Sequence, residues 1–99
     1  MRLSQDQTRT VTELAEQFID GVEGVYLFGS RLDDAARGGD VDLLVETRER
    51  PSRLQRARLK QALEDRLGLP VDLLFTASGE EPTAFQRLAR ERGVRLGER

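Results

Sequence analysis

The tetrapeptide Val41-Asp42-Leu43-Leu44 recurs residue for residue as Val71-Asp72-Leu73-Leu74. Each copy reads as a strand, and each carries an aspartate, a poor strand former, in an otherwise apolar run. Asp40 adds a second carboxylate two residues before Asp42. Side chains alternate faces along a strand, so Asp40 and Asp42 point the same way, about 6.5–7 Å apart along the backbone. Two like charges on one face repel, and a cation between them offsets that cost. If the two strands are sheet neighbours in similar phase, Asp72 completes a cluster of three carboxylates.

The rest of the pattern surrounds these strands with helices. Val11, Leu14, Ala15, Phe18 and Val22 follow helical spacing, and Ser4 to Gln7 can form a capping box, which predicts a first helix over 4–20 ended by Gly21 and Gly24. Val25 to Phe28 is too brief for a helix and suits a buried strand. Gly29-Ser30 turns the chain, and Arg31 to Arg37 make one or two helical turns before Gly38-Gly39. Asp40 to Glu46 is the second strand. Pro51-Ser52 opens a long helix with Leu54, Leu59, Leu63 and Leu67 toward the core and Gly68 past its end. Pro70 introduces the third strand, Val71 to Phe75. Pro82 opens a last helix with Phe85, Leu88 and Ala89 as its apolar stripe and Gly93 as its stop, and Val94-Arg95-Leu96 adds a short edge strand. The expectation is one compact α/β domain over residues 1–99.

Composition narrows the chemistry. The chain has 99 residues, enough for one domain with a modest core. Its net charge of −2 argues against a protein whose main work is neutralising a nucleic-acid backbone. Of the 16 basic residues, 15 are Arg. Arginine forks suit phosphate and carboxylate partners, though codon composition gives the same bias. Arg48, Arg50, Arg53, Arg56 and Arg58 read as the solvated face of the long helix, with a partner or RNA surface as the alternative. Cysteine and histidine are absent, which excludes disulfides, thiolate zinc sites, Ser-His-Asp triads and histidine bases. No apolar stretch approaches a membrane span and the polar N-terminus is no signal peptide, so a cytoplasmic protein is expected. Catalysis, if present, rests on carboxylates, Ser, Arg, the backbone and a borrowed metal.

Gly29-Ser30 has two compatible readings. It can be a turn and helix cap, since Ser30-Arg31-Leu32-Asp33 resembles a cap followed by an acidic first turn. It can also hold a phosphate, with glycine allowing close approach and Ser30 and the following N–H groups donating to it. Arg31 then adds a charge-assisted bond, or stays a solvated surface residue. Asp40 and Asp42 can likewise be polar positions at a strand entry. With Asp72 they can instead hold two metal ions about 3.5–4 Å apart, one gripping a nucleoside triphosphate and the other activating an attacking hydroxyl. Asp72 serves as a metal ligand or as the base for that hydroxyl. Attack at the α-phosphorus transfers a nucleotidyl group and releases pyrophosphate. Oxygen-only ligands and nucleotide chemistry favour Mg2+.

Phe28-Gly29-Ser30, the spacer and Asp40-Val41-Asp42-Leu43 resemble the signature of the DNA polymerase β nucleotidyltransferase superfamily. Chain length and the spacer residues Arg37-Gly38-Gly39 are most similar to its stand-alone minimal nucleotidyltransferases. Gly39 stands where many members carry Ser. The resemblance implies a small mixed sheet flanked by helices. It implies nucleotide phosphates at Gly29 and Ser30, magnesium at Asp40 and Asp42, and Asp72 as the third acid.

About 24 residues follow the Asp72 strand, room for a helix and a tail rather than an acceptor domain. The acceptor surface is therefore expected from a partner or a second copy of the chain. Minimal members often occur beside a helical HEPN protein, so the resemblance implies an antitoxin that transfers AMP from ATP to a hydroxyl of that partner. A catalytically silent module that neutralises or scaffolds the partner by contact is the alternative. So is the catalytic subunit of a two-component enzyme acting on a small molecule, although aromatics at 5% leave little for recognising one.

Overall fold

The computed structural model describes residues 3–28 and 41–97, apart from the side chain of Phe85. Gly29, Ser30, Arg31, Asp40 and the helical turns expected over 31–37 lie outside the described residues. The described elements run α1 (Gln5–Phe18), β1 (Val22–Phe28), β2 (Val41–Thr47), α2 (Arg53–Leu67), β3 (Val71–Ala77), α3 (Ala84–Arg92) and β4 (Val94–Arg95). The strands form one mixed sheet in the order β3-β2-β1-β4. β1 pairs antiparallel with β2 and β4, while β2 and β3 are parallel. This is the mixed sheet with flanking helices that the sequence led us to expect.

All three helices begin with the same device. Ser4, Ser52 and Thr83 each accept from the N3 backbone, and Gln7, Gln55 and Gln86 each reach back to the cap N–H. Two otherwise orphaned donors are satisfied at each start. Gly68 ends α2 in the left-handed conformation, with φ 70. Gly93 ends α3 for a different reason. Its φ of −78 is ordinary, but a side chain there would run into the Ala89 carbonyl and lie 3.0 Å from the Leu27 carbonyl.

Period-two alternation gives the sheet two apolar faces. Val25, Leu27, Val41, Leu43, Val45, Val71 and Phe75 face α1 and α2, where Val11, Leu14, Ala15, Leu59 and Leu63 complete the main core. Tyr26, Phe28, Leu44 and Leu74 face the other way and pack with Ala89 of α3.

Several expected contacts fall elsewhere. The first helix stops at Phe18, because Val22 and Gly24 pair with Thr47 and Glu46 and so extend β1. Leu54 is 58% exposed. It lies five positions before Leu59, about 140° around the helix. Leu88 is likewise exposed, about 100° from the buried Ala89. The arginine run is not one helical face. Arg48 and Arg50 precede α2, Arg50 pairs with Glu80 at 2.6 Å, and Arg56 is half-buried. Truncating the buried Leu59 to Ala should cost about 2–5 kcal/mol in urea unfolding. Leu54→Ala should stay within about 0.5 kcal/mol of wild type.

Candidate active site

The repeated tetrapeptide becomes a pair of adjacent parallel strands in matching register. Val41 stands beside Val71, Asp42 beside Asp72, Leu43 beside Leu73 and Leu44 beside Leu74. Neighbouring strands are about 4.8 Å apart and register partners share a face, so Asp42 and Asp72 stand side by side. They lie on the α3 face, at the end of the sheet where β1 finishes and β2 and β3 begin. Phe28, the last residue of β1, is the antiparallel partner of Asp42. Asp42 is half-buried and Asp72 exposed. Buried Leu44 and partly buried Leu74 form the next row inward.

The structure thus brings together the two repeated aspartates. Asp40 directly precedes Val41 in sequence, and Gly29-Ser30-Arg31 directly follow Phe28, outside the described residues. Among the described residues there is no group of three candidate metal ligands. Asp42 and Asp72 offer hard oxygen donors only, the chemistry that suits magnesium.

Two residues that sequence reasoning passed over hold the start of β3. The Val71 N–H donates to Glu64 Oε2 at 2.8 Å, and Lys60 Nζ donates to the Val71 carbonyl at 2.6 Å. Lys60 and Glu64 also pair with each other at 3.0 Å, one helical turn apart on α2. On the inner side, the Val41 N–H donates to the Pro70 carbonyl at 2.9 Å. Asp72 therefore projects from a backbone fixed on both sides. The only trace of this in the sequence is an i,i+4 Lys-Glu pair shortly before Pro70, which occurs on many exposed helices. The backbone bond from Val71, reinforced by Lys60, holds the Glu64 carboxyl below the usual carboxylate range.

At the opposite end of the strands, Arg90 pairs with Glu46 at 3.3 Å beneath α3, and that carboxylate raises the Arg90 pKa. This pair ties α3 to β2 and stands apart from the aspartates.

Comparison with known proteins follows the same lines. Residues 9–99 match the family described as "Polymerase beta, Nucleotidyltransferase". The chain belongs to this family. A curated relative, protein adenylyltransferase MntA of Thermococcus cleftensis, is 43% identical over 67 residues, covering 67% of this chain and 66% of that protein. The matched region is thus just under two thirds of that relative's length. Among solved structures, one described as a minimal nucleotidyltransferase superposes with TM-score 0.70 at 28% identity, covering 91% of this chain and 89% of that one. A toxin–antitoxin structure with AMP-PNP gives TM-score 0.78 at 24% identity, covering 95% and 73%. The complex of a tri-AMPylated Shewanella oneidensis HEPN toxin with its MNT antitoxin gives 0.73 at 22%, covering 94% and 71%. These last two likenesses concern the fold.

Two outcomes test the local physics. Asp72→Asn should raise the melting temperature in EDTA at neutral pH, because like charges directly opposite one another cost up to about 1 kcal/mol. Glu64 has a lowered pKa in the folded state, so its stabilisation is fully present above the unfolded value of about 4.3 and is lost as pH falls through the lower folded value. Urea midpoints of wild type and Glu64→Gln should therefore differ most at neutral pH and converge in strong acid.

Proposed function

We propose that this chain is a magnesium-dependent nucleotidyltransferase that moves AMP from ATP to a hydroxyl of a protein, as the antitoxin partner of a helical HEPN-type toxin in the cytoplasm. The observation that carries the reading is the Asp42–Asp72 register on a polymerase β nucleotidyltransferase fold. The name of the 43%-identical relative supports AMP as the transferred group and a protein as its acceptor. The helical partner is supported by the toxin–antitoxin complexes that share the fold.

In this reading Asp40, Asp42 and Asp72 hold the metal, two ions in the fully assembled site. When bound, magnesium offsets the charge of the triphosphate and makes the acceptor hydroxyl more acidic. Gly29 and Ser30 bind the phosphates through backbone and hydroxyl donors, and Arg31 adds a charge-assisted bond. Asp72, the more exposed of the two described acids, receives the acceptor's proton. The acceptor oxygen forms a new ester bond to the α-phosphorus. The bond from that phosphorus to the bridging oxygen breaks, and pyrophosphate leaves with the electron pair. Phe28, Leu44 and Leu74 give the acids an apolar floor that keeps them in place.

The direct test uses native-source lysate, magnesium and ATP labelled at the α-phosphate. Wild-type protein should label a discrete protein band whose mass identifies the acceptor. Asp42→Asn should reduce that label more than about 100-fold, since metal-supplied charge stabilisation amounts to several kcal/mol. Equal labelling by the variant would remove Asp42 from the chemistry. No label with any nucleoside triphosphate, even with a co-purified partner, would leave a module that acts by contact alone.

A further inference from the structure

A groove of about 540 Å3 runs between α2 and the outer edge of β3 and reaches Asp72. Arg53, Arg56, Ala57 and Lys60 line its helical wall, and Leu73 lines the strand side. Lys60 is already engaged by Glu64 and the Val71 carbonyl. The two arginines are not. Among the described residues neither Arg53 nor Arg56 forms an ion pair, whereas Arg50, Arg87 and Arg90 each pair with a glutamate. Arg53 is exposed, and Arg56 Nε is buried without a hydrogen-bond partner. The groove therefore offers uncommitted positive charge, apolar lining at Ala57 and Leu73, and an end at Asp72 on the edge strand.

We propose that this groove docks the acceptor protein through an acidic stretch carrying at least one apolar side chain, placing the acceptor hydroxyl at Asp72. The inference rests on the protein-acceptor reading above and adds the surface and the chemistry of recognition. Arginine forks bind carboxylates in pairs of hydrogen bonds, and an apolar side chain beside them covers Ala57 and Leu73. The acceptor does not bind as an added strand. Along the edge of β3, Glu64 and Lys60 occupy the Val71 N–H and carbonyl, and Gln86 Nε2 occupies the Phe75 carbonyl at 3.1 Å. A nucleic acid is the poorer fit. The chain carries net charge −2, and the groove's aromatic residue, Phe75, is 7% exposed and so offers no stacking platform.

The test variant is Arg53→Glu with Ala57→Glu, both exposed positions, checked for folding by its circular-dichroism melt. Arg58→Glu, on another face of α2, is the control. With α-labelled ATP and limiting native acceptor, the double variant should label the acceptor band about tenfold more slowly or worse. The control should stay within about twofold, and affinity for a fluorescent ATP analogue with magnesium should be unchanged in both. By NMR, a short synthetic peptide of alternating Glu and Leu should shift the amides of residues 53–57 and 72–73 in wild type but not in the double variant. Undiminished labelling by the double variant would overturn the docking site while leaving the proposed activity standing. Weakened binding of the ATP analogue would assign the groove to nucleotide phosphates instead. A thymidine oligonucleotide that shifts the same amides more strongly than the peptide would assign it to nucleic acid. If wild type labels no protein at all, the acceptor reading fails on its own, and an absence of peptide shifts would then overturn the groove as well.

Discussion

The arrangement of the candidate site depends on one pairing, the parallel ladder between β2 and β3. Because side chains alternate, a slip of one residue would turn Asp72 into the core under α2 and expose Val71 and Leu73 on the other face. Register is therefore enforced by burial. Val41 and Val71 are fully buried on the α1/α2 side, as is Leu43. Parallel strands need a crossover, and α2 supplies it while also gripping the first residue of β3. The same helix thus fills the core through Leu59 and Leu63 and fixes the acid-bearing strand through Lys60 and Glu64.

That double duty explains how a small chain can support a charged site. Two carboxylates placed side by side repel, and the strands hold them there because the apolar residues on either side are well packed. Leu44 and Leu74 close the row beneath the acids, and Tyr26 and Phe28 extend that floor across β1. The outer edge of β3 is guarded as well. Side chains from α2 and α3 take the Val71 N–H and carbonyl and the Phe75 carbonyl on that edge, which limits pairing with another chain. What remains open beside Asp72 is a surface of side chains, chiefly Arg53, Arg56 and Ala57.

Much of this was legible in the sequence, for identifiable reasons. Short apolar runs bounded by Gly and Pro marked the strands, a capping box marked the helix start at Ser4, and Pro51-Ser52 marked that of the long helix. Where the reading failed, it did so by treating apolar identity as burial. Leu54 and Leu88 are leucines on the wrong side of their helices, and Val22 continues a helical spacing in a segment whose backbone has already joined the sheet. Helix ends and faces depend on which neighbours pair and pack, and local pattern does not contain that information.

Sequence alone determined the kinds of chemistry open to this protein. Without Cys or His, any catalysis falls to carboxylates, Ser, Arg, the backbone and a borrowed metal, and the repeated Val-Asp-Leu-Leu already named two of the carboxylates. It also determined the kind and order of the described strands and helices, because periodicity and capping are local properties. Tertiary structure decided that the two copies are adjacent, parallel and in matching register, since pairing across the chain depends on the packing of all elements together. It decided, too, that Lys60 and Glu64 hold the start of β3 and that Arg53 and Arg56 are left uncommitted beside it, because which charges meet is set by the docking of α2 against β3 rather than by spacing along the chain.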